Sequence, residues 1–127
     1  MKLRVLIVED DAMSRELLGD WLDGEGYEFL SAASLPEARR LCEAAEPHAV
    51  LLDVQLGGED GLELAAWLRQ HPRLHEIPVI AVTAHAMLTE QARILKSGCN
   101  TCVSKPVDFA QLREQLRRWL AWQEEAG

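Results

Sequence analysis

Five short apolar runs alternate with five segments of helical periodicity along this chain, and this alternation limits the folds open to it. The runs are predicted strands, and they are Leu3 to Val8, Tyr27 to Ala32, Ala49 to Asp53, Ile77 to Val82 and Thr101 to Ser104. Nearly unbroken apolar strands are typical of a sheet that is buried on both faces. Strands alternating with amphipathic helices predict a parallel sheet covered by helices on both sides. Right-handed crossovers then favour a flavodoxin-like, doubly wound α/β fold of five strands in the order 2-1-3-4-5, with five helices.

The predicted helices follow from apolar spacing and from capping residues. The first helix is expected over Met13 to Leu22 and the fourth over about Met87 to Lys96. The other three begin at capping signals, namely Ser34 with Glu37, Asp60 with Glu63 and Asp108 with Gln111. The segment Gln55 to Asp60 is predicted to be a loop. The residues expected to face the core are Leu17, Leu18, Trp21 and Leu22 in the first helix and Phe109, Leu112, Leu116, Trp119 and Leu120 in the last.

Length and charge narrow the class of protein. A chain of 127 residues fits a single domain, residues 1–127. A net charge of −8 argues against unaided nucleic-acid binding. No apolar stretch is long enough to span a membrane, and the first apolar run stops at Glu9, which opposes a secretory signal. We therefore expect a cytoplasmic protein.

Three cysteines, Cys42, Cys99 and Cys102, fit reduced thiols in such a compartment. Cys99 and Cys102 form one C-x-x-C pair without a second pair, which is a weak zinc or redox signal. Residues three apart on a strand point to opposite faces, and this opposes a shared metal or a bridge. We interpret all three as buried structural thiols.

Polar residues follow four of the five strands. Glu9 and Asp10 follow the first strand, Asp53 ends the third, Thr83 ends the fourth and Lys105 follows the fifth. In the predicted strand order these four strands are neighbours, so the five side chains are expected at one edge of the sheet. Three carboxylates placed together repel one another unless a cation lies among them, and oxygen ligands favour Mg²⁺. Mg²⁺ with a lysine and a hydroxyl suits phosphoryl transfer, in which Asp53 would be the nucleophile.

Several segments resemble those of receiver domains from bacterial two-component response regulators. They include Val5-Leu-Ile-Val-Glu-Asp-Asp11, Val50-Leu-Leu-Asp53-Val-Gln-Leu56, Gly61-Leu-Glu63, Pro78-Val-Ile-Ala-Val-Thr-Ala84 and Ser104-Lys-Pro-Val107. These segments extend over essentially the whole chain. The stretch Thr83-Ala-His-Ala-Met87 is most similar to receivers of hybrid sensor kinases and to single-domain relay receivers.

The resemblance implies a role for each matching residue. Asp53 would accept the phosphoryl group, Thr83 would hydrogen-bond one phosphoryl oxygen and Lys105 would pair with another. The Mg²⁺ ligands would be the carboxylates of Glu9, Asp10 and Asp53 and the backbone carbonyl of Gln55. The Lys105–Pro106 peptide is expected to be cis.

The resemblance also implies partners and limits the chemistry. The phosphodonor would be a phosphohistidine on a sensor histidine kinase or a histidine phosphotransfer protein. The last two helices are a candidate surface for an output partner or a second copy. Trp122 lies off the inner stripe of the last helix by helical spacing, and it is interpreted first as a partly exposed terminal residue and second as a contact with such a partner. The protein would not be a turnover enzyme, and only self-phosphorylation from phosphodonors and self-dephosphorylation are expected.

Two positions depart from the family pattern. Cys102 replaces the usual Tyr or Phe three residues before the lysine, so the usual aromatic switch lacks its ring. We therefore expect the signal to pass through Thr83 and a repacking of the helix from Met87 to Lys96. Gly57 stands where proline is usual, and the Gly57-Gly58 pair is expected to loosen its loop.

Two other classes of protein remain as alternatives. A haloacid-dehalogenase-like phosphatase also uses an Asp nucleophile, Mg²⁺ and a lysine, but it needs a second Asp at the position of Gln55. A pseudo-receiver that no longer takes phosphate would usually lack one of the acids or the lysine. We interpret the histidines, His48, His71, His75 and His85, as non-catalytic.

Overall fold

The computed structural model describes residues 2–85 and 87–126, with the side chains of Trp122 and residues 124–126 outside the described part. The strands are β1 Arg4–Val8, β2 Glu28–Ala32, β3 Ala49–Asp53, β4 Gln55–Leu56, β5 Glu59–Asp60, β6 Val79–Thr83 and β7 Thr101–Ser104. The helices are α1 Ala12–Gly24, α2 Leu35–Ala45, α3 Leu62–Gln70, α4 Leu88–Lys96 and α5 Phe109–Ala126. The chain thus alternates strands and helices as its apolar pattern predicts.

The five long strands form one parallel sheet in the order β2-β1-β3-β6-β7. Since β6 and β7 are the fourth and fifth predicted strands, the predicted order 2-1-3-4-5 is confirmed. Strand β3 lies at the centre and is buried along its whole length. The edge strand β2 is the most exposed of the five, in keeping with its weaker apolar pattern.

The sheet separates two apolar cores because side chains alternate along each strand. Leu6, Val50 and Leu52 belong to one core, which α2, α3 and α4 cover. Ile7 and Leu51 belong to the other core, which α1 and α5 cover. The doubly wound fold therefore places helices on both faces of the sheet, and the carboxyl ends of its strands remain open at one edge.

Ser34 and Asp108 cap their helices as predicted, whereas the N-cap of α3 is Gly61, which makes no side-chain capping bond. The Ser34 hydroxyl accepts a hydrogen bond from the Glu37 amide, and Asp108 accepts bonds from the two amides at the start of α5. Asp60 accepts from the Leu62 amide at 3.0 Å. Asp11, to which no role was assigned, caps α1 through Ser14. Both hydrogen bonds from Ser14 lower the pKa of the Asp11 carboxyl.

The predicted inner stripe of α1 is wrong at one position. Leu17 is 59% exposed, whereas Leu18 and Leu22 are buried. Leu17 lies at the margin of the apolar stripe and lines a cleft at the open edge of the sheet. Helical spacing alone therefore predicts more burial for Leu17 than the structure shows. In α5, Leu112, Leu116 and Leu120 are fully buried as expected, while Phe109 and Trp119 are partly buried.

The prediction of a loop over Gln55 to Asp60 is also wrong. This segment forms an antiparallel hairpin in which β4 pairs with β5. Gly57 and Gly58, at φ values of 50° and 88°, make its two-residue turn. A type I′ hairpin turn requires positive φ at both central residues, so the two glycines suit this turn, and the looseness expected of this segment stays a prediction. Among the described helices, none combines the length and the apolar character that crossing a membrane requires.

Candidate functional site

Three carboxylates meet at the open edge of the sheet. Glu9 and Asp10 follow β1, and Asp53 ends the neighbouring β3. One oxygen from each of the three lies within 4.8 Å of the others. Glu9 and Asp53 are only 4% and 6% exposed, whereas Asp10 is exposed to solvent. The expected clustering of acids from separate strands is therefore present.

Lys105, which follows β7, reaches into this group of acids. Its Nζ donates to Asp53 Oδ2 at 3.0 Å and to Glu9 Oε1 at 3.3 Å. Partial burial by itself would lower the pKa of Lys105, but the hydrogen bond and charge of Asp53, with those of Glu9, outweigh it and raise the pKa above its ordinary value. The backbone amide of Lys105 donates to the Thr83 carbonyl, and the Lys105–Pro106 peptide is cis, as the resemblance implies.

The other carboxylate oxygens of Glu9 and Asp53 accept hydrogen bonds from backbone amides, and the Glu9 carbonyl accepts one from an arginine. The Gln55 amide donates to Asp53 Oδ1 at 3.1 Å, and the Asp11 amide donates to Glu9 Oε2 at 3.2 Å. Arg15 donates to the Glu9 carbonyl at 2.8 Å. Arg15 was not predicted to contact the site; its position one turn into α1, behind the Glu9-Asp10 pair, is the signal that could have indicated it.

Thr83 lies at the same edge, one residue beyond Val82, which pairs with Asp53. The Thr83 side chain is buried, and its hydroxyl is bonded to the backbone of His85, accepting from the amide at 3.0 Å. The structure thus places Thr83 beside the acids, and its contact with a phosphoryl oxygen stays a prediction.

The acids fit a small divalent cation. Mg²⁺ takes oxygen ligands at about 2.1 Å, so its ligand atoms lie about 3 to 4 Å apart. The three carboxylate oxygens need only a small inward shift to reach such spacing. Among the described residues, no other group of acids, histidines or cysteines has this geometry. The backbone carbonyl of Gln55 as a fourth ligand stays a prediction.

Gly61 allows the chain to turn tightly behind Asp53. A Cβ atom at this position would lie 2.1 Å from the Asp53 carbonyl oxygen. The Gly61 amide donates to the Val54 carbonyl at 2.8 Å. Gly61 therefore fixes the segment that leads from β3 into α3.

The cysteines are free thiols, and only two of them are buried. Cys42 and Cys99 are buried, whereas Cys102 is only partly so, which corrects the interpretation of three buried thiols. The reason is that β7 is an edge strand and Cys102 sits at the rim of its core cluster. Cys99 precedes β7, so the two residues of the C-x-x-C pair do not share a strand.

An apolar cleft of about 280 Å³ opens beside Asp53 and Lys105. Its walls come from α1, including Ser14 and Leu17, and from the segment after β7, including Pro106. Leu17 in this wall is strongly exposed, as is Met13 of the same helix. The site is therefore bordered by apolar surface on the side of α1.

Comparison with known proteins defines the class. The sequence model of the response regulator receiver domain matches residues 5–117. The polar-differentiation response regulator DivK of Brucella ovis is 38% identical over 120 residues, which cover 94% of this chain and 98% of that protein. The chain therefore belongs to the response regulator receiver domain family, whose members act in two-component signalling.

Solved structures agree with this assignment. A crystal structure assigned to a response regulator of Chloroflexus aurantiacus is 33% identical, with a TM-score of 0.90 over 95% of this chain and 99% of that one. The receiver domain of a sensor histidine kinase from Pseudomonas aeruginosa is 28% identical, with a TM-score of 0.86 over 95% and 99% of the two chains. That structure has a magnesium ion coordinated in its active-site cleft.

Proposed function

We propose that this receiver accepts a phosphoryl group on Asp53 from a phosphohistidine of a sensor histidine kinase or a histidine phosphotransfer protein. The observation that carries the proposal is the contact of the Lys105 ammonium with Asp53 at 3.0 Å, inside a cluster of three carboxylates. A lone buried Asp would be a poor phosphoacceptor because nothing would offset the charge that its phosphate brings. The positive charge of Lys105 would offset part of the negative charge of that phosphate.

In the transfer, one carboxylate oxygen of Asp53 forms a bond to phosphorus while the bond from phosphorus to the imidazole nitrogen breaks. The electron pair of the broken bond stays with the imidazole of the donor. Lys105 moves its contact from the carboxylate to a phosphoryl oxygen, and Thr83 turns its hydroxyl from His85 to another. The Lys105 amide donates to the Thr83 carbonyl, which keeps these two residues side by side at the edge of the sheet.

Glu9, Asp10, Asp53 and the Gln55 carbonyl would hold Mg²⁺ at this site. Bound Mg²⁺ would supply neutralisation of the charge on the transferring phosphoryl group. The support for this ion is the oxygen-only donor set in this chain. The magnesium ion in the Pseudomonas receiver adds to that support.

The expected partners fit two apolar surfaces. Leu17 borders the cleft at Asp53, Met13 is exposed on the same helix, and the two suit an apolar helix face on the phosphodonor protein. Leu88 and Leu95 are exposed on α4, which supports an output partner or a second copy on the last two helices. The predicted contribution of Trp122 lies outside the described side chains.

We expect no multiple-turnover chemistry beyond self-phosphorylation and self-dephosphorylation. The position two residues after Asp53 is Gln55, which cannot act as the general acid and base that a phosphatase of the haloacid-dehalogenase class needs. We expect this signalling to take place in the cytoplasm.

The test is incubation with phosphoramidate in the presence and absence of Mg²⁺, followed by intact mass measurement. Wild type is expected to gain one phosphoryl group only when Mg²⁺ is present, and Asp53→Asn to gain none. Equal labelling of Asp53→Asn would show that another residue takes the phosphate. An unlabelled wild type would indicate a pseudo-receiver.

A further inference from the structure

The hairpin of β4 and β5 connects the acid cluster to α4. Gln55 pairs with Asp60, and Leu56 pairs with Glu59, so the two ends of the hairpin are fixed relative to each other. The positive φ values of Gly57 and Gly58 make the connecting turn compact. A displacement at one end is therefore passed to the other.

The first end and the turn of the hairpin lie against two of the three acids. The Gln55 amide donates to Asp53 Oδ1 at 3.1 Å. At the turn, a Cβ atom on Gly57 would lie 3.0 Å from Asp10 Oδ2. The position of the hairpin thus affects where the Asp53 and Asp10 oxygens can lie.

The second end of the hairpin contacts two helices. Asp60 Oδ1 accepts from the Leu62 amide at the start of α3. Asp60 Oδ2 lies 3.2 Å from Nη1 of Arg93 in the middle of α4. Arg93 also binds Glu90 of its own helix through two nitrogens, which fixes the guanidinium towards the hairpin. These contacts form a continuous path from Asp53 through Gln55 and Asp60 to α4.

We propose that Arg93 is a positioning residue for the metal and phosphoryl site, acting through Asp60 on the hairpin that carries Gln55. This inference rests on the proposed function, because it assigns a role in binding Mg²⁺. The pair is half-exposed, and exposed ion pairs are weak, so the effect on Mg²⁺ affinity is about two- to fivefold. Coupling between two binding sites is reciprocal. If a partner that binds α4 moves Arg93 and thereby changes the affinity for Mg²⁺, bound Mg²⁺ changes the affinity for that partner by the same factor.

The direct test measures the Mg²⁺ dissociation constant by calorimetry for wild type, Arg93→Gln and Arg93→Lys. Arg93→Gln is expected to raise the constant about two- to fivefold, and Arg93→Lys, which keeps the charge near Asp60, is expected to restore it. The matched control is Arg73→Gln, because Arg73 makes a similarly exposed ion pair with Glu46 at 3.1 Å, away from the acid cluster. An unchanged constant in Arg93→Gln, or the same shift in Arg73→Gln, would overturn the proposal.

A second measurement separates this inference from the proposed function. Hydrogen exchange at the Gln55 amide, without Mg²⁺, is expected to be faster in Arg93→Gln than in wild type and unchanged in Arg73→Gln. If wild type bound no Mg²⁺, the proposed function would fail, while exchange at Gln55 would still report whether Arg93 holds the hairpin. Asp60→Asn weakens the contact with Arg93 but keeps an oxygen for the Leu62 amide, and a Mg²⁺ dissociation constant unchanged in that variant would reject the path through Asp60.

Discussion

At the scale of single residues, the site depends on one cation among buried acids. Lys105 contacts both Asp53 and Glu9, and these two carboxylates have little access to water. Burying charges without partners is unfavourable, so the ammonium makes the arrangement of acids possible in the absence of a metal. In the proposed function, the same ammonium meets the incoming phosphoryl group.

Replacing Lys105 by Gln is expected to affect both folding and phosphorylation. Because Lys105 is about one-third exposed, the loss in unfolding free energy is expected to be about 1–3 kcal/mol, less than for a fully buried pair. Labelling by phosphoramidate is expected to slow at least about tenfold, since a charge-stabilising donor is lost. Urea denaturation and a labelling time course measure the two effects. Lys96→Gln, at an exposed lysine of α4, is the control, and wild-type labelling by Lys105→Gln would contradict the assigned role.

The thiols are expected to differ in reactivity. Burial raises the pKa of Cys42 to about 12 and that of Cys99 to about 11. Burial raises the pKa of Cys102 too, but this residue is the most accessible of the three. With Ellman's reagent at mildly alkaline pH, Cys102 is expected to react first and the others only on unfolding. Peptide mass mapping would identify the order, and modification of Cys42 before Cys102 in the folded protein would contradict the burial described here.

At the scale of elements, contacts between neighbouring segments keep the strand ends in place. Gly61 lets α3 begin directly behind β3, and the hairpin then packs beside the acids. On the opposite face, Arg113 of α5 binds Glu25 at the end of α1 through two nitrogens and lies over the Trp21 ring. The first contact shapes the segment behind the acids, and the second joins α1 to α5.

Gly61→Ala is expected to lower the unfolding free energy by about 1–3 kcal/mol, because the new Cβ would overlap the Asp53 carbonyl. Urea denaturation measures this loss. Gly24→Ala is the matched control, since a Cβ on Gly24 meets no atom within 4 Å. That variant is expected to leave stability unchanged or slightly increased. Equal stability of the two variants would contradict the close approach behind Asp53.

The contact between α1 and α5 is expected to be sensitive to acid. The hydrogen bond and charge of Arg113 hold the pKa of Glu25 below its ordinary value of 4.5. A lowered pKa in the folded state stabilises the protein above the ordinary value, and this stabilisation is lost as the pH falls through the folded-state pKa.

The difference in Tm between wild type and Glu25→Gln is therefore expected to be largest near neutral pH. It is expected to disappear as the pH falls below the folded-state pKa of Glu25. Thermal unfolding followed across that range measures it, with Glu16→Gln on the exposed side of α1 as control. A difference that grew on acidification would have the wrong sign for this ion pair.

At the scale of the whole molecule, the fold was predictable because the same alternation of an apolar run and a helical pattern recurs five times along the chain. Each strand is an apolar run and each helix has its own periodicity, so the strand order followed from general rules of connection. The acid cluster was predictable for the same reason, since Glu9, Asp53 and Lys105 come directly at the ends of strands. The resemblance to receivers assigned their roles.

The hairpin and its link to α4 were not predictable in this way. Strands of two residues have no periodicity, and Gly57-Gly58 indicates flexibility as well as a turn. The ion pair of Asp60 with Arg93 joins residues that are 33 positions apart, so no local sequence pattern predicts it. Leu17 was misplaced because helical spacing indicates a stripe but not where its edge lies.

The central claim is that the folded sheet makes Asp53 the acceptor of a labile phosphoryl group. The most direct measurement treats the phosphoramidate-labelled protein with sodium borohydride, which reduces an acyl phosphate to an alcohol, and maps the peptides by mass spectrometry. Conversion of Asp53 alone to homoserine, dependent on Mg²⁺ during labelling, is the predicted result. Conversion of another acid, or a borohydride-stable phosphate on any side chain, would contradict the account.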